Sequence, residues 1–278
     1  MRYTKMHGAG NSFLILEDLH GELQGENLRD LALWFCSPLS GPGADGMIVL
    51  KRDPSADFAM DFFNSDGSTG EMCGNGARCV ARYGLEHGLC RDAARIRFRA
   101  EAGLITARRI DEERYEVRLP DPSVVDLLRS TGEGFCSYVE LGDPGLPHAV
   151  VPMADLAEKS FEDLRPLGRA LRAHPAFPKG ANVNFYELIG PDHLIEKTFE
   201  RGVEDFTYAC GTGTGSLVAV LTLRGLVSGD HVTVDVPGGR LFIDVVRDGG
   251  AITDLYLTGP TNLVCQGELT DETLLSES

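Results

Sequence analysis

The chain has 278 residues, 42% hydrophobic and 24% charged, with a formal net charge of −16. That charge repels phosphate backbones and no Lys/Arg block offsets it, which excludes nucleic acid as a partner and favours a small ligand. No apolar run approaches the roughly 18 residues of a membrane span, and the opening MRYTKMHGAG lacks the apolar segment of a secretory signal. Seven cysteines, an odd number without a disulfide-framework spacing, fit a reducing cytoplasm. Above about 250 residues a single core usually gives way to two.

In chain order the first half reads as a helix over 28–35, with Trp34 and Phe35 as core, then strands at 47–50 (MIVL) and 58–63 (FAMDFF). A helix over 77–83 follows, and strands at 96–99 (IRFR), 104–108 (LITAR) and 115–119 (YEVRL). These strands are short, rich in β-branched or aromatic residues and bounded by turn residues. The second half is built alike, with strands at 139–141 and 149–152, an exposed amphipathic helical stretch over 155–171 broken near Pro166, and strands at 183–188 and 195–199. A helix over 216–224 (SLVAVLTLR) and strands at 232–236, 241–246 and 252–257 complete it. The stretches 77–83 and 216–224 are apolar nearly all round, so each helix is expected inside its own sheet, beginning at its glycine turn and ending at Gly88 or Gly225, placed as a C′ residue. Pro120 to Ser123 (PDPS) and Gly259-Pro260 are the expected crossings between halves.

The halves are related. Cys73-Gly74-Asn75-Gly76 recurs as Cys210-Gly211-Thr212-Gly213, an offset of 137 residues (210 − 73), and Gly88-Leu89 recurs as Gly225-Leu226 at the same offset. A cysteine followed by Gly-X-Gly at a helix start lies against unsatisfied backbone N–H groups and the positive end of the helix dipole, which is expected to lower a thiol pKa from about 8.5. The same amides can grip a carboxylate, and glycine lets the backbone approach a ligand closely. One such turn is weak evidence, because a free buried cysteine is usually an inert small hydrophobe; two in register point to function. Two thiols on opposite faces of one carbon can invert it, one taking a proton as thiolate and the other giving one as thiol. No P-loop, dinucleotide fingerprint or zinc spacing competes, so no cofactor and no metal are expected. Cys36, Cys79, Cys90, Cys136 and Cys265 are expected to be structural or incidental.

The segments FNSDGSTGEMCGNGARC from Phe63, ERGVEDFTYACGTG from Glu200, MHGAGNSF near the start, NVNF from Asn182, PHAV from Pro147, and the closing PGGRL and LTGP together resemble the diaminopimelate epimerases nearly end to end. The resemblance implies a cofactor-independent epimerase that converts LL-diaminopimelate to the meso form, serving lysine and peptidoglycan synthesis. It implies a mixed α/β (α+β) fold of two pseudo-symmetric lobes, each a curved, mostly antiparallel sheet wrapped around a central helix. The lobes are expected at 1–120, completed by 263–278 and carrying Cys73, and at 121–262, carrying Cys210. Residue by residue, Cys73 and Cys210 correspond to the catalytic pair and Gly74, Asn75, Gly211 and Thr212 to the carboxylate cradle. Asn11, Asn64, Asn182, Glu200 and Arg201 match the other substrate-binding positions, and His148 one that tunes the thiols. Partners are then a small amino-acid substrate, with no nucleic acid and no membrane; exposed strand edges are compatible with a homodimer.

The chain departs from the family pattern at Leu146, where an asparagine is common before Pro147-His148, at Gly46 and Ser12, and at Phe206 to Tyr208, bulkier than the usual Glu-Thr-Leu. The alternative activity is a two-thiol racemase of another amino acid, of the histidine or proline type. A third reading, a carboxylate-binding or thiol-redox module, has ligand binding without α-proton exchange.

Overall fold

A computed structural model of the chain describes residues 1–70, 73–132 and 134–270. Glu71 and Met72 of the first cysteine segment, and 271–278 of the expected carboxyl-terminal return, lie outside the described residues. In chain order the elements are β1 (Arg2–Gly8), β2 (Asn11–Asp18), α1 (Leu28–Cys36), β3 (Gly46–Lys51), β4 (Phe58–Asn64), α2 (Gly74–Glu86), β5 (Ile96–Ala100), β6 (Gly103–Arg109) and β7 (Arg114–Arg118). Then come β8 (Pro122–Ser130), β9 (Phe135–Leu141), β10 (Leu146–Pro152), α3 (Phe161–Arg172), β11 (Asn182–Gly190), β12 (His193–Glu200), β13 (Asp205–Thr207) and α4 (Gly211–Leu223). The last are β14 (Val232–Val236), β15 (Gly239–Asp248), β16 (Ala251–Pro260) and β17 (Asn262–Glu268). Two compact units result: Met1–Val117 with the described part of Pro260–Ser278, and Arg118–Gly259.

In the first unit the strands run in the order β17, β1, β2, β3, β4, β5, β6, β7, with parallel pairs at β2–β3 and β4–β5 and antiparallel pairs elsewhere. In the second the order is β8, β9, β10, β11, β12, β14, β15, β16, with parallel pairs at β10–β11 and β12–β14. The two patterns are the same, pair for pair, and β17 fills in the first unit the slot that β8 fills in the second. Parallel neighbours need a crossover connection. Here α1 and α2 carry the two crossovers of the first unit, and α3 and α4 those of the second.

The crossover helices sandwich the sheet. In the first unit α1 packs on β3 and β4, and α2 on β1, β2 and β6. Held on both faces, β2 and β3 become continuous buried runs from Phe13 to Leu16 and from Met47 to Leu50. In the second unit α3 packs on β11, β12 and β13, and α4 on β8, β9, β10, β11 and β15. Residues 211–222 of α4 are all buried, as its apolar sequence demands.

The internal repeat extends to the hydrogen bonds that open and close α2 and α4. Each helix is preceded by its cysteine in extended conformation, at φ −127°, ψ 109° for Cys73 and φ −117°, ψ 101° for Cys210. The first turn closes from Ala77 N to Cys73 O and from Thr214 N to Cys210 O. At the far ends Leu89 N reaches Gly84 O and Leu226 N reaches Leu221 O, while Gly88 N and Gly225 N bond Leu85 O and Thr222 O. This is the paired closure of a Schellman cap, with Gly88 at φ 72° and Gly225 at φ 68°.

Both buried helices start where the glycine turns place them, at the glycine after each cysteine, because the cysteine itself takes the extended cap position. Other expectations are corrected. The 155–171 stretch does not form one helix: Ser160 and Asp163 make a reciprocal capping box that starts α3 at Phe161, and the helix runs through Pro166 to Arg172. Pro122 and Ser123 belong to β8, a strand exposed along nearly its whole length, whose PSVVDLLRS lacks the alternation that marks a half-buried strand. Trp34 is half-buried whereas Phe35 is core.

A Cβ at either cap glycine would meet no atom within 4 Å, so only the left-handed backbone opposes a side chain there. Gly88→Ala and Gly225→Ala should therefore each cost about 1–2 kcal/mol, by nearly equal amounts, in urea unfolding with an unchanged m-value. A markedly unequal pair would mean that the two caps differ in strength.

Candidate active site

In the first unit the crossover from β4 to β5 brings Cys73 to the head of α2. Its half-buried thiol accepts from Gly76 N at 3.5 Å and donates to Asn11 Oδ1 at 3.4 Å. Asn75 Nδ2 reaches the same Asn11 oxygen at 3.4 Å, so Asn11, Cys73 and Asn75 form one cluster. Asn64 ends β4, and its carboxamide donates to Ser68 Oγ at 2.9 Å in the turn that follows. Gly74 O accepts from Arg78 Nη1 at 3.2 Å, and Asn75 Oδ1 accepts from Arg78 Nη2 at 2.8 Å. Arg78 is fully buried, and loss of hydration draws its guanidinium down to about 10. Sequence reasoning passed over it; the signal was a long cation inside a run of small apolar residues.

In the second unit Cys210 heads α4 and is buried, with Thr212 Oγ1 3.6 Å from its sulfur. Burial raises this thiol well above the ordinary range and the Glu200 carboxyl adds to the rise, against the pull of Thr212 and the Gly213 amide. The expectation that the helix end lowers the pKa is thus overturned at Cys210: desolvation outweighs the dipole when the sulfur is out of water. Gly213 has no room for a side chain, since a Cβ there would lie 2.2 Å from Asn184 Oδ1.

The other expected residues of this unit form a connected set. Asn182 Nδ2 donates to Pro147 O at 3.2 Å, and its Oδ1 accepts from Arg201 N at 2.7 Å, which ties β10, β11 and the end of β12 together. Glu200 accepts from Thr207 Oγ1 at 2.9 Å, and burial raises its carboxyl. Arg201 Nη1 donates to Lys179 O at 3.0 Å. Among the described residues it enters no ion pair, so Glu200 and Arg201 are not the solvated salt bridge that their adjacency also allows. His148 is fully buried beside Asn184, whose Nδ2 lies 3.3 Å from its Nδ1, and its Nε2 has no partner among the described residues. Burial and then Arg201 push its pKa down to about 3, so the ring is neutral.

Behind Cys210 lies a polar group absent from the sequence-based site. Glu196 is fully buried on β12; its Oε2 is 2.5 Å from Thr214 Oγ1 and its Oε1 3.4 Å from Thr198 Oγ1. Thr198 also donates to Asn184 Oδ1 at 3.1 Å, linking Glu196 to His148. Burial lifts the Glu196 carboxyl to about 8. Its position between Leu194 and Thr198 on one face of the strand, opposite the face of Lys197, was the available cue. Gly211 and Thr212 are the first buried residues of α4, matching Gly74 and Asn75 of α2. Among the described residues no cluster of His, Cys, Asp or Glu is arranged to hold a metal ion, and no helix is long and apolar enough to cross a membrane. A surface cavity lined by Ser160, Phe161, Lys197 and Asp235 includes none of the expected substrate-binding residues.

Two crossover-linked units of one topology, each with a cysteine heading its buried helix, make up a fold shared with several solved structures. A Bacillus anthracis protein of the PhzF phenazine-biosynthesis family superposes with TM-score 0.75 at 16% identity, over 97% of this chain and 99% of its own. A probable proline racemase from Agrobacterium radiobacter gives 0.67 at 18% identity, over 97% and 92%. Sequence narrows the class. The diaminopimelate epimerase family model matches residues 3–125 and again 142–264, once per half. The diaminopimelate epimerase of Aquifex aeolicus is 37% identical over 99% of each chain, and that of Bacillus subtilis 34% identical over 96% of this chain and 97% of its own. The chain belongs to the diaminopimelate epimerase family.

Glu196 carries a pH signature of its own. A raised folded pKa contributes stability that is fully present below the ordinary carboxylate value and is lost as pH rises through about 8. Wild type should therefore lose on the order of 2–4 kcal/mol relative to Glu196→Gln between about pH 5 and about pH 9, measured by urea unfolding. Parallel pH dependences of the two proteins would place the carboxyl's ionisation elsewhere.

Proposed function

We propose that the chain is a cofactor-independent epimerase that interconverts LL- and meso-diaminopimelate with Cys73 and Cys210 as its acid and base. The observation that carries this reading is the duplicated cap: two cysteines, each in extended conformation at the head of a buried helix, each followed by glycine. In the proposed step a thiolate removes the α-proton, leaving its electron pair on the carbon and the adjoining carboxylate. The second cysteine, a thiol, gives its proton to the opposite face. The configuration inverts, and the two sulfurs have exchanged protonation states.

The amides that open α2 and α4, with Gly74, Asn75, Gly211 and Thr212, are the proposed cradle for the carboxylate at the reacting carbon, where charge accumulates in the transition state. Asn11 and Asn64 complete that end. The distal end of the substrate is itself an amino acid. Arg201 supplies a cation for its carboxylate, and Glu200 an acceptor for its ammonium, with Asn182 holding the Arg201 backbone. His148 is proposed to act as a neutral ring that fixes Asn184 under the Cys210 turn. Leu146 removes a polar group from the distal region, which makes specificity there rest on Arg201. We assign the enzyme to the cytoplasm, where seven free cysteines are stable, and assign it a homodimeric state, to be tested by light scattering.

Incubation with LL-diaminopimelate in deuterium oxide tests the activity. Deuterium should enter the α-carbon as the meso isomer accumulates, and Cys73→Ser and Cys210→Ser should each lower net inversion by at least about 10²-fold while folding normally. Two-way turnover at wild-type rate by either variant would exclude the two-base mechanism. Proline or histidine inverted in preference to diaminopimelate would replace the substrate assignment.

Arg201→Ala separates specificity from catalysis. Loss of a charge-assisted contact to the distal carboxylate should reduce kcat/KM for diaminopimelate by roughly 2–5 kcal/mol of transition-state binding, and affect a shorter amino acid little. Equal losses on both substrates would assign Arg201 to the fold instead.

A further inference from the structure

Arg78 carries a charge that the described residues do not balance. Its side chain is fully buried, two of its nitrogens are bonded to neutral oxygens of Gly74 and Asn75, and its Nε has no partner among the described residues. None of the ion pairs among the described residues includes it. A buried cation without a counter-charge is costly, so an anion close to it is strongly favoured. The ionisable groups that interact with it are the thiols of Cys79 and Cys73. Cys79 is fully buried and pushed up to about 12, so it stays protonated. Cys73 is half-buried and has the Gly76 amide on its sulfur; its thiol and the Asn75 amide both donate to Asn11 Oδ1, and Asn75 Oδ1 in turn accepts from the guanidinium.

The second unit has the opposite arrangement. The position that answers Arg78 across the repeat is Gly215, where a Cβ would lie 2.5 Å from Leu119 Cδ1, so no side chain fits there. The buried ionisable groups near Cys210 are the carboxyls of Glu200 and Glu196. The repeat is therefore broken in charge at the point where it is closest in backbone: a cation behind one cysteine, carboxyls behind the other.

We propose that Arg78 is a positioning residue that favours loss of the proton the Cys73 thiol shares with Asn11 Oδ1, which makes Cys73 the base and Cys210 the acid of the proposed pair. This deepens the two-thiol reading above and rests on it for its catalytic meaning. The strands packed on α2 bring other charged groups, and most are engaged elsewhere. On β1, Lys5 donates to Pro42 O and Arg2 is exposed; on β2, Glu17 accepts from Tyr83 Oη and Asp18 from Leu23 N. On β6, Arg108 pairs with Glu116 and Arg109 bonds Asp111 O; on α2 itself Arg82 pairs with Glu86. His7 on β1, its Nδ1 buried without a partner among the described residues, is the remaining competitor and provides the control.

The test is the pH dependence of iodoacetamide alkylation under reducing conditions, read separately at Cys73 and Cys210 by peptide mass spectrometry. In the wild-type protein the Cys73 midpoint should lie below that of Cys210. Arg78→Met should raise the Cys73 midpoint by about 1 unit, the low end of the effect of a nearby opposite charge, and Arg78→Lys should restore most of the shift. Neither variant should move the Cys210 midpoint comparably, and His7→Asn should leave the Cys73 midpoint in place. A wild-type order with Cys210 below Cys73 overturns the proposal even if Arg78→Met does not fold, as does an unmoved Cys73 midpoint in a folded Arg78→Met. Alkylation needs no substrate. A protein with the expected order but no turnover of diaminopimelate would sink the epimerase reading alone, whereas turnover with the reversed order would sink only the role of Arg78.

Discussion

The geometry of parallel strand pairing is the constraint on which the rest depends. Adjacent parallel strands cannot be joined by a tight turn, so the chain has to leave the sheet and return. In each unit the crossover over the second parallel pair is the one made by the buried helix, α2 between β4 and β5 and α4 between β12 and β14. A helix enclosed along its length has few places where its backbone is still unsatisfied. Its amino-terminal turn is one, because the first N–H groups have no partner within the helix. A cysteine at that turn is thus presented by the topology, and the glycines that follow keep the amides uncovered.

Burial decides how each cysteine behaves once it is there. The helix end favours a thiolate, yet Cys210 sits among groups that oppose ionisation, and desolvation prevails. The neighbouring Glu196, Thr214, Thr198, Asn184 and His148 form a hydrogen-bonded chain without a full charge to stabilise. Its bonds fix the side chains under the Cys210 turn, and the close fit of Gly213 against Asn184 leaves that turn no freedom to shift. In the first unit the same job of fixing the turn falls to Arg78, which holds the two residues after Cys73 by their oxygens.

Much of this was legible in the sequence, for identifiable reasons. The duplicated Cys-Gly-X-Gly turn marks both helix starts because backbone chemistry at a helix end is local. The all-round apolar character of 216–224 announces enclosure, and β3 and β4 are visible as compact runs of β-branched and aromatic residues. What escaped reading depends on tertiary partners. β8 has no buried face to impose a period, and Pro166 is tolerated inside α3 where local rules expect a break. Arg78 and Glu196 are ordinary surface residues by composition, and only their complete burial makes them significant. The bonding of Asn64 to Ser68 and of Arg201 to Lys179 is likewise invisible until the loops are placed.

The pairing of β1 with β17 has a consequence for how the molecule is made. Arg2 lies opposite Glu268, so β1 is laid against a stretch that leaves the ribosome about 260 residues after it. On its other side β1 pairs at once with β2, which follows in the chain. Until β17 emerges, the free edge of β1 offers unpaired N–H and C=O groups to any passing strand. The second unit, whose strands all lie between residues 122 and 260, suffers no such wait. Synthesis from the amino terminus therefore favours closing the second unit first, reversing the order in which the two are encoded, and exposes the nascent first unit to mispairing while the second is made.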